Sequence, residues 1–503
     1  MNVYDDVPYE GSAQKHTYPG HLNVVARILG MESVPAETAR VLEIGCAVGA
    51  NLIPMAQRHP NARFIGVDYS HKQIEMGRDR CKQLGLTNIE LETRDIADMD
   101  APLGEFDYII AHGIFSWIAP ALQDKLLAVC SENLADNGVA LVSFNTYPGW
   151  HFRSQVREMM MYHTQRVDDA NERVAQGRSL MRVLAETGTE HNFFRRTLEF
   201  ESRYLDHSAD SYVCHEFLEE ENYPLFFHQF MSMADKHDLN YLGDADPRFL
   251  TDYGLPAKAS QFLAQYADDV VRREQHIDYI RNRMFRSTLL VKSSHGPRLP
   301  IRPEYVVDHH VWTKVQIPNE VPLRADATVD YRLDEVNRIA VRSPIMKIAM
   351  SYIRDRWPNT IPFSELVDLS CQRLGTQPTD QTRIALASEL LRGYLCGVIG
   401  LSLAPTDAST AISDQPTLAS LTRDEAAAGL GACITNIHHD GVTIKDPAIR
   451  HLITLLDGTR SLDQAAHAAN EWLAANQMNN RLDAGHVRKL VSSLINLGIC
   501  PIA

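Results

Sequence analysis

No stretch of this 503-residue chain approaches the roughly 20 consecutive apolar residues that a membrane-spanning helix needs. Membrane insertion is therefore not expected. The opening residues, MNVYDDVPYEGSAQKHTYPG, lack the basic and apolar regions of a secretory signal. The eight cysteines are scattered and form no CxxC pair, so they read as buried, reduced thiols; no disulfide frame and no metal site is expected. The His-His pairs at 309–310 and 438–439 have no nearby cysteine and no partner one helical turn away, and read as ordinary loop or strand histidines. Positive charge is also scarce, with 49 Lys and Arg against 64 Asp and Glu. The resulting net charge of −15 argues against general nucleic-acid binding. Together these absences point to a cytoplasmic globular protein, and its length to about two to four domains.

What the first half contains is an alternation of strand-like and helix-like segments, the sign of a parallel α/β sheet. Strands are expected at about 40–44, 63–68, 88–92, 106–111 and 138–144, with helices between them, for example over Asn51–His59 and Lys72–Leu84. Asn137-Gly138 reads as a turn feeding the fifth strand, since both residues tolerate positive φ. After Trp150 the β rhythm stops, and a helical insertion is expected over 151–222. Two further strands should follow near 239–244 and 287–293, returning the chain to the same sheet.

The fold expected is thus a Rossmann-like sheet with a helical insertion, followed by mostly helical C-terminal domains. The expected division is an N-terminal arm or lid at 1–38, the sheet domain at 39–295, a middle domain at 296–403 and a helical domain at 404–503. The middle domain should carry amphipathic helices at Ile345–Trp357, Phe363–Arg373 and Gln381–Tyr394. A faint internal echo of this layout near the C-terminus has the rhythm of winged-helix units. Such helical domains suit oligomer contacts, and a homodimer, or the docking of a large substrate.

The chemistry begins at ARVLEIGCAVGANLIPMAQRHPNARFIGVDYS, from Ala39 to Ser70. Glu43-Ile-Gly45-Cys-Ala-Val-Gly49 sits where the first strand turns into the first helix. Glycines there let the backbone approach a ligand closely and leave N–H groups free at a helix start. This is not the G-x-G-x-x-G arrangement that binds a pyrophosphate. A carboxylate at Glu43 suits a cationic ligand and would repel a pyrophosphate. Asp68 ends the second strand-like run, where an acidic side chain can accept from both ribose hydroxyls. Asp95, after the third strand, is placed to accept from an adenine amino group. Ribose, adenine and a cationic remainder together describe S-adenosylmethionine.

With those motifs in view, residues 39–145 resemble a class I S-adenosylmethionine-dependent methyltransferase. FDYIIAHGIFSWI, FNTYPGWHFRSQVREMMMYH and HEFLEEENYPLFFHQFMSMADKHDLNYLGDAD extend the likeness. Over roughly residues 3–295 the chain resembles bacterial methyltransferases that carry a methyltransferase regulatory domain. The best-described of these are lysine methyltransferases acting on outer-membrane proteins. The resemblance implies that Gly45, Cys46 and Gly49 line the methionine end of the cofactor. It puts Asp68 and Tyr69 at the ribose, Asp95 and Ile96 at the adenine, and His112 and Gly113 beside the sulfonium. Ala47 departs from the pattern, since many methyltransferases have a third glycine there.

The acceptor side is expected at the carboxyl ends of the fourth and fifth strands, where Phe115, Trp117, Tyr147 and Trp150 cluster. Apolar and aromatic surroundings lower the pKa of a lysine ammonium, and aromatic faces hold methylated amines. His112 is the candidate proton acceptor, with Trp117 and Tyr147 as the catalytic aromatics. Tyr4, Tyr9, His16 and Tyr18 of the amino-terminal arm would cover the pocket, and Tyr18, Trp117, Tyr147 and Trp150 would contact the acceptor. No NPPY-type amide-methylating motif follows the fourth strand. A protein lysine is the expected acceptor. A small-molecule methyltransferase is the alternative, and a non-catalytic binding protein with a degenerate core is the third reading.

Overall fold

Apolar runs in the first half become seven strands in a computed structural model that describes residues 11–187, 193–317, 320–429, 433–478 and 481–502. They are β1 (Arg40–Ile44), β2 (Arg63–Asp68), β3 (Ile89–Thr93), β4 (Phe106–Ala111), β5 (Leu134–Asn145), β6 (Leu239–Asp244) and β7 (Phe285–Lys292). Their order in the sheet is β3-β2-β1-β4-β5-β7-β6. The first five pair in parallel, and β7 runs antiparallel between β5 and β6. β4 is buried along its whole length, which accounts for its largely apolar text, broken only by Asp107, whose carboxylate pairs with Arg40.

Residues Leu52–Arg58 and His71–Gln83 form the first two crossover helices. The second starts where Ser70 accepts a hydrogen bond from the Gln73 N–H, which satisfies one donor of the first turn. The expected turn at Asn137-Gly138 is not one. β5 already begins at Leu134, and its register against β4 shifts between Phe106 and Tyr108. Neither Asn137 nor Gly138 takes a positive φ, and residues 135–138 stand opposite Asp107 alone, an irregularity in the ladder between β4 and β5.

The insertion consists of helices Trp150–Thr164, Ala170–Thr187, Phe193–His207 and Asp210–Phe217. It has its own core around Val156, Met160, Met181, Leu205 and Phe217. β6 and β7 lie beyond it and close the sheet, as their sequence pattern predicts.

In the second half, β8 (His310–Trp312) pairs with two strands that flank a helix pair, and β9 (Val329–Arg332) pairs with β10 (Arg338–Val341). The partners of β8 are β11 (Ile361–Pro362) and β12 (Gly400–Ser402), on either side of helices Phe363–Leu374 and Asp380–Leu395. Helices Leu462–Ala475 and Ala484–Asn496 repeat the helix pair, but no strands flank them among the described residues. The internal echo is therefore one of helices.

One hydrophobic core runs from Leu22 and Val25 of helix Pro19–Ile28, beneath Val41 and Leu141 of the sheet, to Met346, Phe363 and Leu390. The segment after residue 296 thus packs directly on the sheet. Leu418, Ile453, Val487 and Val491 form a separate core near the C-terminus.

Candidate active site

The loop leaving β1 is built for a close approach. Gly45 has φ +77, and a Cβ on it would lie 2.4 Å from Ile114 Cγ2, so only glycine fits. Its N–H donates to Val67 O at 2.8 Å. Ala47 also sits in the left-handed region, with φ +51, which explains why a third glycine is common there. Its N–H donates to Asp68 Oδ2 at 2.8 Å, and Ser70 N–H donates to Oδ1 at 2.8 Å. Asp68 therefore ties the tip of β2 to the β1 loop, and its carboxylate oxygens can each accept a further bond. Gly49, φ +72, closes the turn by donating to Cys46 O at 2.8 Å.

Glu43 is 5% exposed, and Asn51 Nδ2 donates to its Oε1 at 2.9 Å. Its Oε2 is buried with no partner among the described residues. Burial pushes the Glu43 carboxyl up to about 8, with Asp68 adding to the rise. A buried carboxylate with one oxygen unanswered is the donor set a ligand ammonium would complete. Cys46 is buried, and a Cβ on Gly66 would come 2.7 Å from its Sγ. The thiol thus faces β2, and any contact of Cys46 with a ligand is through its backbone.

Further along the strand ends, Tyr69 is 66% exposed beside Asp68. Asp95 Oδ1 accepts from Ala97 N–H at 2.8 Å, starting a short turn of helix over Ile96–Asp98. Asp95 and Ile96 are both half-buried. Gly113 donates to Ser143 Oγ at 2.8 Å and has open space around its Cα. His112, beside it, keeps a buried Nδ1 without a partner among the described residues. Burial lowers its pKa to about 4, so the ring is neutral at pH 7.

The aromatic residues divide. Phe115 is fully buried against Phe144 and Phe230. Trp150 is 1% exposed and donates Nε1–H to Asn222 Oδ1 at 3.1 Å, which makes it part of the packing and corrects its expected place at the acceptor. Trp117 is half-buried under the Arg157 guanidinium, 5.5 Å from the ring centroid. Tyr147 is half-buried and stacks on His151 at 3.9 Å, with Phe226 5.3 Å away. Tyr18 is no lid over the strand ends. It stacks on His59 and His439, and its hydroxyl lies 2.6 Å from His59 Nε2. His16 lies against His21 with the rings tilted, centroids 5.2 Å apart; Tyr4 and Tyr9 lie outside the described residues. No group of three or more His, Cys, Asp or Glu able to hold a metal occurs among the described residues.

The site also holds residues that sequence reasoning missed. Ile114 packs on Gly45, Ser143 fixes Gly113, and Arg157, His151 and Phe226 flank the half-buried aromatics. Asn51 could have been suspected from its place two residues after Gly49. Ile114 and His151 each directly follow a residue already singled out, but nothing in their side chains marks them for a ligand.

Residues 41–138 match the family model described as a methyltransferase domain, and residues 209–292 match one described as a predicted methyltransferase regulatory domain. RP789, an uncharacterized protein of Rickettsia prowazekii, is 32% identical over 453 residues, covering 88% of this chain and 81% of its own. PKMT2 from Rickettsia typhi, solved in complex with AdoHcy, superposes with a TM-score of 0.87 at 28% identity, covering 98% of this chain and 100% of that one. The chain belongs to the S-adenosylmethionine-dependent methyltransferases. A second relative, RP028 of Rickettsia prowazekii, is 38% identical over 244 residues, which cover 48% of the methyltransferase described here and 96% of RP028. The cofactor of this methyltransferase is S-adenosylmethionine, and the residues present fit it. The orphaned Glu43 oxygen could answer its ammonium, the open space at Gly113 could admit its body, and Asp68 could take its ribose. When bound, this group supplies an electrophilic methyl; the protein must orient the acceptor, exclude water and take up any acceptor proton.

Proposed function

We propose that this methyltransferase modifies lysine ε-amines on a protein. The observation that carries the reading is the full-length likeness to PKMT2, a protein lysine methyltransferase. In this reading Glu43, Gly45, Cys46 and Gly49 hold the methionine end of the cofactor. Asp68 and Tyr69 hold the ribose, Asp95 and Ile96 the adenine, and His112 and Gly113 flank the reacting centre. Trp117 and Tyr147 form the walls that receive the amine.

A lysine ammonium has a pKa of roughly 10.4 and must lose a proton before it can accept a methyl group. His112 is neutral, and its Nδ1 can take a hydrogen bond, but a pKa near 4 makes it a weak base. Desolvation of the amine between half-buried rings does most of the work in its place. Glu220 and Glu221 are exposed on the segment that Tyr223 N–H ties to Ser116 O at 2.7 Å. They give the mouth a negative rim that suits an approaching cation.

The deciding measurement is the position of label after acid hydrolysis of proteins methylated in the enzyme's own cell extract. N-methyl-lysines support the proposal. Label confined to small molecules overturns it in favour of a small-molecule acceptor, and label in base-labile esters overturns it as well. A cytoplasmic setting and a homodimer through the helical C-terminal half belong to the same proposal. Cell fractionation and sedimentation test them.

A further inference from the structure

The histidine pair at 438–439 lies at the tip of a hairpin formed by β13 (Ile434–Thr435) and β14 (Gly441–Val442). The tip is firmly seated. His438 stacks on Trp312 at 3.9 Å and on Trp357 at 5.3 Å, with its Nε2 3.0 Å from Pro358 O. Asn436 Oδ1 accepts from the backbone N–H groups of His438 at 2.9 Å and Asp440 at 3.1 Å. Lys314 pairs with Asp440. Held in this way, His439 adopts φ +56, a conformation uncommon for a residue with a side chain and worth a functional question.

His439 is 1% exposed, and its ring stacks on Tyr18 at 5.1 Å. Its Nε2 lies 3.0 Å from Asn51 Oδ1, a contact across 388 residues of chain. Asn51 Oδ1 also accepts from Gln14 N–H at 3.0 Å. An amide has an acceptor on one side and donors on the other, so fixing the oxygen aims the nitrogen. That nitrogen donates to Glu43 Oε1, while Glu43 Oε2 keeps no partner among the described residues.

We infer that His439 is a positioning residue of the cofactor site: through Asn51, the hairpin of the C-terminal region fixes the Glu43 carboxylate so that Oε2 faces the cofactor's ammonium. The inference rests on Glu43 as the group that answers the ammonium. It makes cofactor affinity depend on a region that lies outside both family-model matches. It also gives the amino-terminal arm a share in the site, since Gln14 and Thr17 bond to the same amide.

Calorimetric titration of the full chain with AdoHcy tests this. His439→Phe keeps a ring on Tyr18 and removes the donor; its affinity should fall about fivefold or more. His439→Gln restores an N–H donor and should bind within about twofold of the parent. Asn51→Leu should lose at least as much as His439→Phe, and combining the two should add less than about twofold, as expected for members of one chain of contacts. Should His439→Phe not fold, as judged by circular dichroism, His439→Met takes its place with the same expected and overturning results. Glu43→Gln is measured alongside. Unchanged affinity there overturns the role of Glu43 itself. Weak binding by Glu43→Gln together with parental binding by His439→Phe, or additive losses in the double variant, overturns the relay alone.

Discussion

Asp68 shows how much one side chain at this site must do. It accepts from Ala47 N–H and Ser70 N–H, so it shapes the β1 loop and the start of the next helix before any ligand arrives. Asp68→Ala should weaken AdoHcy binding at least about tenfold, from two lost ribose hydrogen bonds at roughly 1 kcal/mol each and a loosened loop. Calorimetry on the folded variant checks this, and parental affinity would remove the ribose assignment. Ala47 is the complementary case. Its φ of +51 is strained for alanine, and the Asp68 bond helps to hold it there. Ala47→Gly should stabilise the fold by about 1 kcal/mol, seen as a raised midpoint in thermal denaturation. An unchanged or lowered midpoint would show that the loop does not store this strain.

At the scale of elements, β1, β2 and β4 were legible because their runs are short, mostly apolar and bounded by polar residues, with Glu43 and Asp107 the charged exceptions inside them. β6 and β7 were legible too, although five helices separate β6 from β5 among the described residues, since a buried strand leaves the same mark wherever the chain returns to it. The irregularity at Asp136-Asn137 was not legible: a polar pair in a strand and a polar pair in a turn look alike until the partner strand is known. Of the site, the glycine loop and its carboxylates could be read from spacing. The placing of Trp150 in the packing could not, because the insertion that covers it has no pattern of its own pointing there. Arg157 joins these two parts. Its Nη1 and Nη2 donate to Glu216 O and Glu219 O at 2.7 and 2.6 Å, and its guanidinium covers Trp117. Arg157→Met keeps the apolar stem but strands two carbonyls, which should destabilise the fold by about 1–3 kcal/mol. If Trp117 faces the acceptor as proposed, methyl transfer should fall while AdoHcy affinity stays near parental. Equal losses in transfer and cofactor affinity would place Trp117 against the cofactor.

Across the whole molecule, buried histidines mark the seams between its parts. His21 bonds to Ala245 O at the end of β6, His59 meets Tyr18, His438 lies between Trp312 and Trp357, and His439 reaches Asn51. Burial lowers His21, His438 and His439 to about 3, and His59, His112 and His309 to about 4. Below an unfolded value of 6.5 the unfolded chain binds protons that the folded chain refuses, so each of these groups makes stability fall as pH drops from about 6.5 towards 4. Glu43 and Glu216, raised to about 8 and about 7, act in the opposite sense. Their folded forms take up protons first, and they favour the fold as pH falls through those values. By about pH 6 most of that opposing gain from Glu216 and Glu43 has begun, but six histidines outnumber two carboxyls in the window below it. The melting temperature measured by calorimetry should therefore fall steadily from pH 6.5 to pH 4.5. The loss should appear first as separation of the C-terminal region from the sheet, with tryptophan fluorescence of Trp312 and Trp357 changing before the main transition. A melting temperature that holds constant or rises over this interval would mean that the histidine seams are open to water and do not carry the junctions between the parts.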